Sequence, residues 1–88
     1  MSQKPTVGRI VHYVLPDGPS AGQHRPAIIV RTWDQPELPF SGTVQLQVFT
    51  DGQNDVAPGE PWSATKWISS ATYSEEPQPR TWHWPERE

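Results

Sequence analysis

Proline is spread along the chain and takes 11 of its 88 positions, against roughly 5% in average proteins. Its ring fixes φ and removes a backbone N–H donor, so a proline inside a helix breaks that helix. This distribution nearly forbids long helices. Five tryptophans and many β-branched residues accompany the prolines, and a disordered chain would not carry them. The sequence therefore predicts a folded protein made of short strands.

Five segments have the composition of β-strands. The clearest is residues 43–50, in which Val44, Leu46 and Val48 alternate with Gln45 and Gln47. The other four are rich in β-branched and aromatic side chains and cover residues 7–15, 27–33, 66–73 and 80–84. Turn-forming residues fill the intervals and predict loops at 16–25, 34–42, 51–65 and 74–79. We expect an all-β fold, a small five-stranded antiparallel barrel of the SH3-like type.

The length of the chain allows one domain. We assign residues 1–6 to an N-terminal arm, residues 7–85 to the barrel and residues 86–88 to a C-terminal tail. A core of this size is thin, and oligomerisation is a common supplement, so we expect a homo-oligomer. No cysteine is present to form a disulfide. The sequence shows no apolar signal region and no membrane-length apolar run, which predicts a cytoplasmic protein without membrane contact.

The formal net charge of −3 argues against duplex nucleic acid, whose binding depends on many Lys and Arg contacts to phosphate. A small anionic ligand is compatible with this charge, because two or three local arginines suffice to hold it. The sequence thus favours a small anionic ligand, such as a nucleotide, as the partner.

Four aromatic residues are candidates for stacking on such a ligand: Tyr13, Trp62, Trp82 and Trp84. Trp62 lies in a predicted loop between Pro61 and Ser63, where a tryptophan often contacts a ligand or partner. Trp82 and Trp84 have a competing interpretation, in which they close the barrel core and His83 faces outward.

Three basic residues are candidates for phosphate contacts: His24, Arg25 and Arg31. His24 and Arg25 follow Gly22 in a loop, and the competing interpretation is a solvated loop tip. Alternation places Arg31 beside Trp33 on one face of its strand, where it either forks onto an anion or lies along the barrel edge.

Metal binding and catalysis have weaker signals. The spacing of His12, His24 and His83 matches no metal motif, so we predict neither a metal site nor a cofactor. No nucleophile motif or glycine-rich phosphate loop occurs, so we predict that the protein is not an enzyme. The alternative is a small nucleotide-degrading enzyme in which His12 or His83 acts as acid and base.

Four segments resemble a family of short phage and prophage proteins. They are VHY at residues 11–13, PAIIV at 26–30, VQLQVFTDG at 44–52 and WHWP at 82–85. The resemblance covers most of residues 7–85 and brings no catalytic motif with it. It implies a viral protein that acts inside a bacterial host cell.

Small viral proteins without catalytic groups often act by occupying a ligand. In size, acidity and β content the chain is similar to sponges that sequester the cyclic nucleotides or ADP-ribose derivatives of bacterial immune signalling. We therefore expect a non-enzymatic, phage-encoded small-ligand binder with an anti-defence role. A protein–protein adaptor or virion assembly protein is the main alternative.

Overall fold

A computed structural model describes residues 5–33 and 42–85 of the chain. Their strands are β1 (Ile10–Val14), β2 (His24–Thr32), β3 (Val44–Phe49), β4 (Thr65–Tyr73) and β5 (Thr81–His83). The strands close into a barrel in the order β1-β2-β3-β4-β5. This confirms the all-β fold with five strands, and the architecture is consistent with the SH3-like type.

One strand pair departs from the predicted antiparallel arrangement. β4 and β5 run parallel and pair Thr72 with Thr81 and Tyr73 with Trp82, whereas the other four neighbouring pairs are antiparallel. The reason is parity: strands that alternate in direction around a closed ring must be even in number. A closed barrel of five strands therefore needs a parallel pair, and a wholly antiparallel one is geometrically impossible.

The predicted alternation in β3 is confirmed. Val44, Leu46 and Val48 are completely buried, whereas Phe49 is exposed. They join the core with Val11, Tyr13, Leu15, Ala27, Ile29, Ala71 and Trp82. The indole Nε1 of Trp82 donates a buried hydrogen bond of 2.6 Å to the carbonyl oxygen of Gly42. A tryptophan thus supplies the bulk of this thin core, and its polar atom has a partner.

β2 begins three residues earlier than predicted and contains Pro26. Pairing between β2 and β3 starts at Ala27, so at Pro26 the strand pairs with β1 alone, opposite His12. The missing N–H is tolerated there because β2 behaves as an edge strand at that end. The predicted loop at 51–65 contains a turn of 3-10 helix at Gly52–Asp55.

Some predictions fall on residues 1–4, 34–41 and 86–88, which lie outside the described residues. These are most of the N-terminal arm, most of the second loop and the C-terminal tail. Within the described ranges, no helix has the length and apolar character needed to cross a membrane.

Candidate functional site

Two loops at one end of the barrel enclose a cleft of about 370 Å³ beside Trp62. The first loop follows β1 and the second joins β3 to β4. Apolar walls come from Leu15, Pro16, Val56, Pro61 and Trp62, and polar groups come from Asp17, Thr50, Asp55, Ser63, Thr65 and Lys66. Clefts of this size, with an apolar lining and a few polar groups, are typical of small-molecule sites.

The position of Trp62 depends on a glycine. Gly52 has a φ of +56°, and a Cβ at this position would lie 3.3 Å from Cε3 and Cζ3 of the Trp62 ring. The ring therefore lies over bare backbone, while 57% of the Trp62 residue surface remains exposed. Such an arrangement leaves ring surface available for stacking.

Two more clefts adjoin the first. One of about 540 Å³ shares Val56 and Trp62 with it and extends to Pro19 and Glu60. The other, of about 290 Å³, shares Lys66 and reaches Arg80. Trp62 therefore borders the clefts of about 370 Å³ and 540 Å³. Lys66 borders those of about 370 Å³ and 290 Å³, and the latter also contains Arg80.

One wall of the first cleft is fixed by an ion pair. Arg25 donates from Nε to Oδ2 of Asp55 at 2.8 Å and from Nη2 to Oδ1 at 2.7 Å. The Arg25 guanidinium, assisted by the backbone N–H of Asp51, lowers the pKa of the Asp55 carboxyl to about 2. In turn, the hydrogen bond to Asp55 raises the pKa of Arg25. Both charges are committed to each other, so Arg25 is not available as a phosphate ligand in this structure.

The seven predicted ligand residues do not form one site. Tyr13 is 2% exposed and Trp82 is fully buried, so both are core residues and neither offers a ring face to a ligand. Burial also raises the pKa of the Tyr13 hydroxyl. Trp84 is half-buried and packs edge-on against Trp82, with ring centroids 5.3 Å apart. Trp82 and Trp84 thus follow the core interpretation, and the prediction that Tyr13 stacks on a ligand is wrong because its ring fills the core.

The remaining four predicted residues are dispersed. Arg31 lies over the ring of Trp33 at 4.1 Å, as the alternation predicted. Arg25 is held by Asp55, and His24 lies with other histidines on the outer face of the barrel. Of the seven, Trp62 and Tyr13 line clefts, and of these two only Trp62 is exposed.

Lys66, Val56 and Asp17 line the cleft but are not among the ligand residues predicted from the sequence. Lys66 is the first residue of the strand predicted at 66–73, and in the sequence it resembles an ordinary strand residue. Val56 is an isolated apolar residue in a polar loop. That isolation is the signal that could have indicated a packed loop rather than a solvated one.

The three histidines form a second cluster. His12, His24 and His83 offer ligand nitrogens that all lie within 4.8 Å of one another. The sequence did not predict this proximity, because the three are distant along the chain. A signal was present: in VHYV and TWHW each histidine alternates with core residues, and closing the barrel pairs the first strand with the last.

Fold and clefts together define a small closed β-barrel with a loop-built cleft at one end. Comparison of the chain with protein-family models, with curated proteins and with solved structures finds no match. The two features of the structure that bear on function are therefore the cleft beside Trp62 and the histidine cluster.

Proposed function

We propose that the protein is a non-enzymatic small-ligand binding module whose ligand occupies the cleft beside Trp62. The observation that carries the proposal is an exposed indole on the wall of an apolar cleft of about 370 Å³. A large aromatic side chain left 57% exposed in such a place favours a ligand contact.

The chemistry of the cleft favours a planar ring that carries an anionic group. The ring would stack on Trp62, and the exposed ammonium of Lys66 would contact the anion. The charge of the Asp55 carboxylate is neutralised by Arg25, so Asp17 is the carboxylate of the cleft whose charge Lys66 has to offset when an anion binds. A nucleotide has both features.

The resemblance to phage and prophage proteins gives the proposed binding module a biological role. A cytoplasmic phage protein that binds a nucleotide without altering it would withdraw an immune signal from the host. Binding between two copies of the chain would enlarge the contact with such a ligand.

A thermal-shift screen tests the proposal, with linear nucleotides, cyclic nucleotides and ADP-ribose derivatives as probes. We expect one probe to raise the melting temperature, since a ligand bound by the folded state stabilises it. Trp62→Ala should abolish the shift and Lys66→Gln should weaken it. Trp33→Ala is the matched control, because Trp33 is also exposed, at 41%, and does not line these clefts.

Mass spectrometry of the released ligand separates binding from catalysis. An intact ligand supports sequestration, whereas an altered one favours the nucleotide-degrading alternative, with His12 or His83 as its acid–base group. No shift with any probe, or a shift that survives Trp62→Ala, contradicts the proposal.

A protein–protein adaptor is the second candidate, and exposed apolar residues on the outer face support it. Ile10, Ile28, Gln47 and Trp67 are successive cross-strand partners over β1 to β4. Ile10 is 57% exposed and Trp67 is 50% exposed. Apolar side chains exposed on one face often mark an interface. If analytical ultracentrifugation shows an oligomer that Ile10→Ser dissociates, this row mediates self-association.

A further inference from the structure

The barrel brings all three histidines of the chain together on the outer face of three adjacent strands. His12 of β1 and His83 of β5 are direct cross-strand partners. His24 of β2 pairs with Val14, one step along the same face from the partner of His12, which is Pro26. Neighbouring residues of the three strands point into the core, so the imidazoles share the opposite side.

The ring geometry suits a shared ligand. The ring centroids of His24 and His83 are 4.5 Å apart, those of His12 and His83 are 5.8 Å apart, and those of His12 and His24 are 6.4 Å apart. The ring planes are inclined to each other by 57° to 81°.

The three nitrogens need only a small approach to coordinate one ion. A Zn–N bond of about 2.0–2.1 Å in a tetrahedral site places ligand nitrogens about 3.3 Å from each other. In this structure the ligand nitrogens of the three histidines lie within 4.8 Å of one another. Rotation of imidazoles about χ2, a torsion with broad preferences, can close this difference without moving the strands.

The histidine cluster is partly buried, and the positive charge next to it in the chain is offset. His83 is 7% exposed, and its Nδ1 atom is itself buried. Val14 and Thr81 lie on the same face and are buried as well, whereas His12 and His24 are half-buried, so the cluster is enclosed on one side and open to solvent on the other. Arg25, the nearest basic residue in the chain to His24, has its charge offset by Asp55.

We propose that His12, His24 and His83 bind one divalent transition-metal ion, with Zn²⁺ as the favoured ion. Imidazole nitrogen suits zinc, and three histidines satisfy three of its four tetrahedral positions. The fourth position is open to water or to a further ligand. Because the three strands belong to the closed barrel, the ligands are attached to a rigid frame.

Arg25 is a positioning residue in this arrangement. Its Nη1 donates a hydrogen bond of 3.1 Å to the carbonyl oxygen of His24, while its other nitrogens hold Asp55. The backbone of His24 is thereby anchored to the 3-10 turn, which limits how far its imidazole can move from the other two.

Titration of the chelator-treated protein with Co²⁺ and with Zn²⁺ tests the proposal. We expect one-to-one binding, with the intense visible absorption of tetrahedral Co²⁺ and displacement of Co²⁺ by Zn²⁺. Each of His12→Ala and His24→Ala should lower the Zn²⁺ affinity by at least about 100-fold, since even outer-shell changes cost 10–100-fold. The imidazole signals of all three histidines should shift in the NMR spectrum when Zn²⁺ is added.

Two further variants keep the test decisive. Because His83 is buried, folding of His83→Gln is checked by circular dichroism. If that variant unfolds, His12→Ala decides the test, since His12 is only half-buried. Replacing Glu75 and Glu76 with glutamine is the matched control, since these paired carboxylates are exposed and do not belong to the histidine cluster. Unchanged Zn²⁺ affinity in His12→Ala and His24→Ala, or no saturable binding at micromolar metal, overturns the proposal. Trp62→Ala should retain full metal affinity, which separates this site from the cleft.

Discussion

Arg25 and Asp55 form a two-pronged ion pair that joins the start of β2 to the 3-10 turn, 30 residues further along the chain. The Asp55 side chain is 3% exposed and that of Arg25 is 15% exposed. The same carboxylate accepts a hydrogen bond of 2.7 Å from the backbone N–H of Asp51. One side chain thus organises both the loop after β3 and the cleft wall.

Breaking this ion pair should destabilise the fold. Asp55→Asn leaves the Arg25 guanidinium half-enclosed without its counter-charge, and we expect the free energy of unfolding to fall by about 2–3 kcal/mol. Glu75→Gln removes an exposed carboxylate and should change it by less than about 0.5 kcal/mol. Urea denaturation at neutral pH measures both. Equal stability of the two variants would show that the pair does not hold the loop.

Lowering the pH should remove the stability that the ion pair between Arg25 and Asp55 gives to the fold. The folded pKa of Asp55 is about 2, below its ordinary value of 3.8, so folding favours the ionised carboxylate. The resulting stability is fully present above pH 4 to 5 and is lost as the pH falls towards 2, with a total of about 2 kcal/mol. Urea midpoints of the natural protein and Asp55→Asn should converge over this range. A constant difference between them down to pH 2 would contradict the low pKa.

Gly18 and Gly22 should respond differently to a methyl group, although both have positive φ, at +83° and +87°. A Cβ on Gly18 would lie 2.8 Å from the carbonyl oxygen of Asp55, whereas one on Gly22 would meet nothing within 4 Å. Gly22→Ala should cost about 1 kcal/mol from its backbone conformation alone. Gly18→Ala should cost about 1–3 kcal/mol more, because backbone must shift. Thermal denaturation of the two variants measures the difference in lost stability. Equal losses would show that Gly18 does not lie in close contact with the backbone of Asp55.

Trp82 and Trp67 form a second matched pair for substitution by phenylalanine. Trp82→Phe removes core volume and leaves the buried carbonyl of Gly42 without its indole donor, so we expect a loss of about 2–4 kcal/mol. Trp67 is half-exposed, and Trp67→Phe should change stability by less than about 0.5 kcal/mol. Denaturant unfolding followed by circular dichroism avoids dependence on the altered fluorophore. A mild effect of Trp82→Phe would contradict its role as the central core residue.

The local sequence pattern was sufficient to predict which segments of the chain form strands. The alternation of Val44, Leu46 and Val48 with glutamines defines both the existence and the inward face of β3, because side chains of a strand point to opposite sides in turn. It was insufficient for the start of β2. Whether Pro26 can lie inside a strand depends on which neighbours pair with it, and pairing is a property of the whole sheet.

The candidate sites, like the strands, could be predicted from the sequence only in part. Trp62 was predicted as a ligand residue because a tryptophan in a loop often contacts a ligand or partner, and the structure gives it a cleft. Tyr13 and Trp82 were also candidates for stacking, with a core interpretation kept open for Trp82, and both are buried. Residue type alone cannot distinguish an aromatic ring that fills a core from one that borders a cleft.

The sequence by itself determined that this protein would be all-β, because prolines interrupt helices and the apolar residues recur with the period of a strand. Tertiary structure alone decided that β4 and β5 run parallel, that Arg25 meets Asp55, and that His12, His24 and His83 converge. These relationships join residues far apart in the chain. They arise when the barrel closes, and closure is fixed by strand number and register, which no local pattern of side chains specifies.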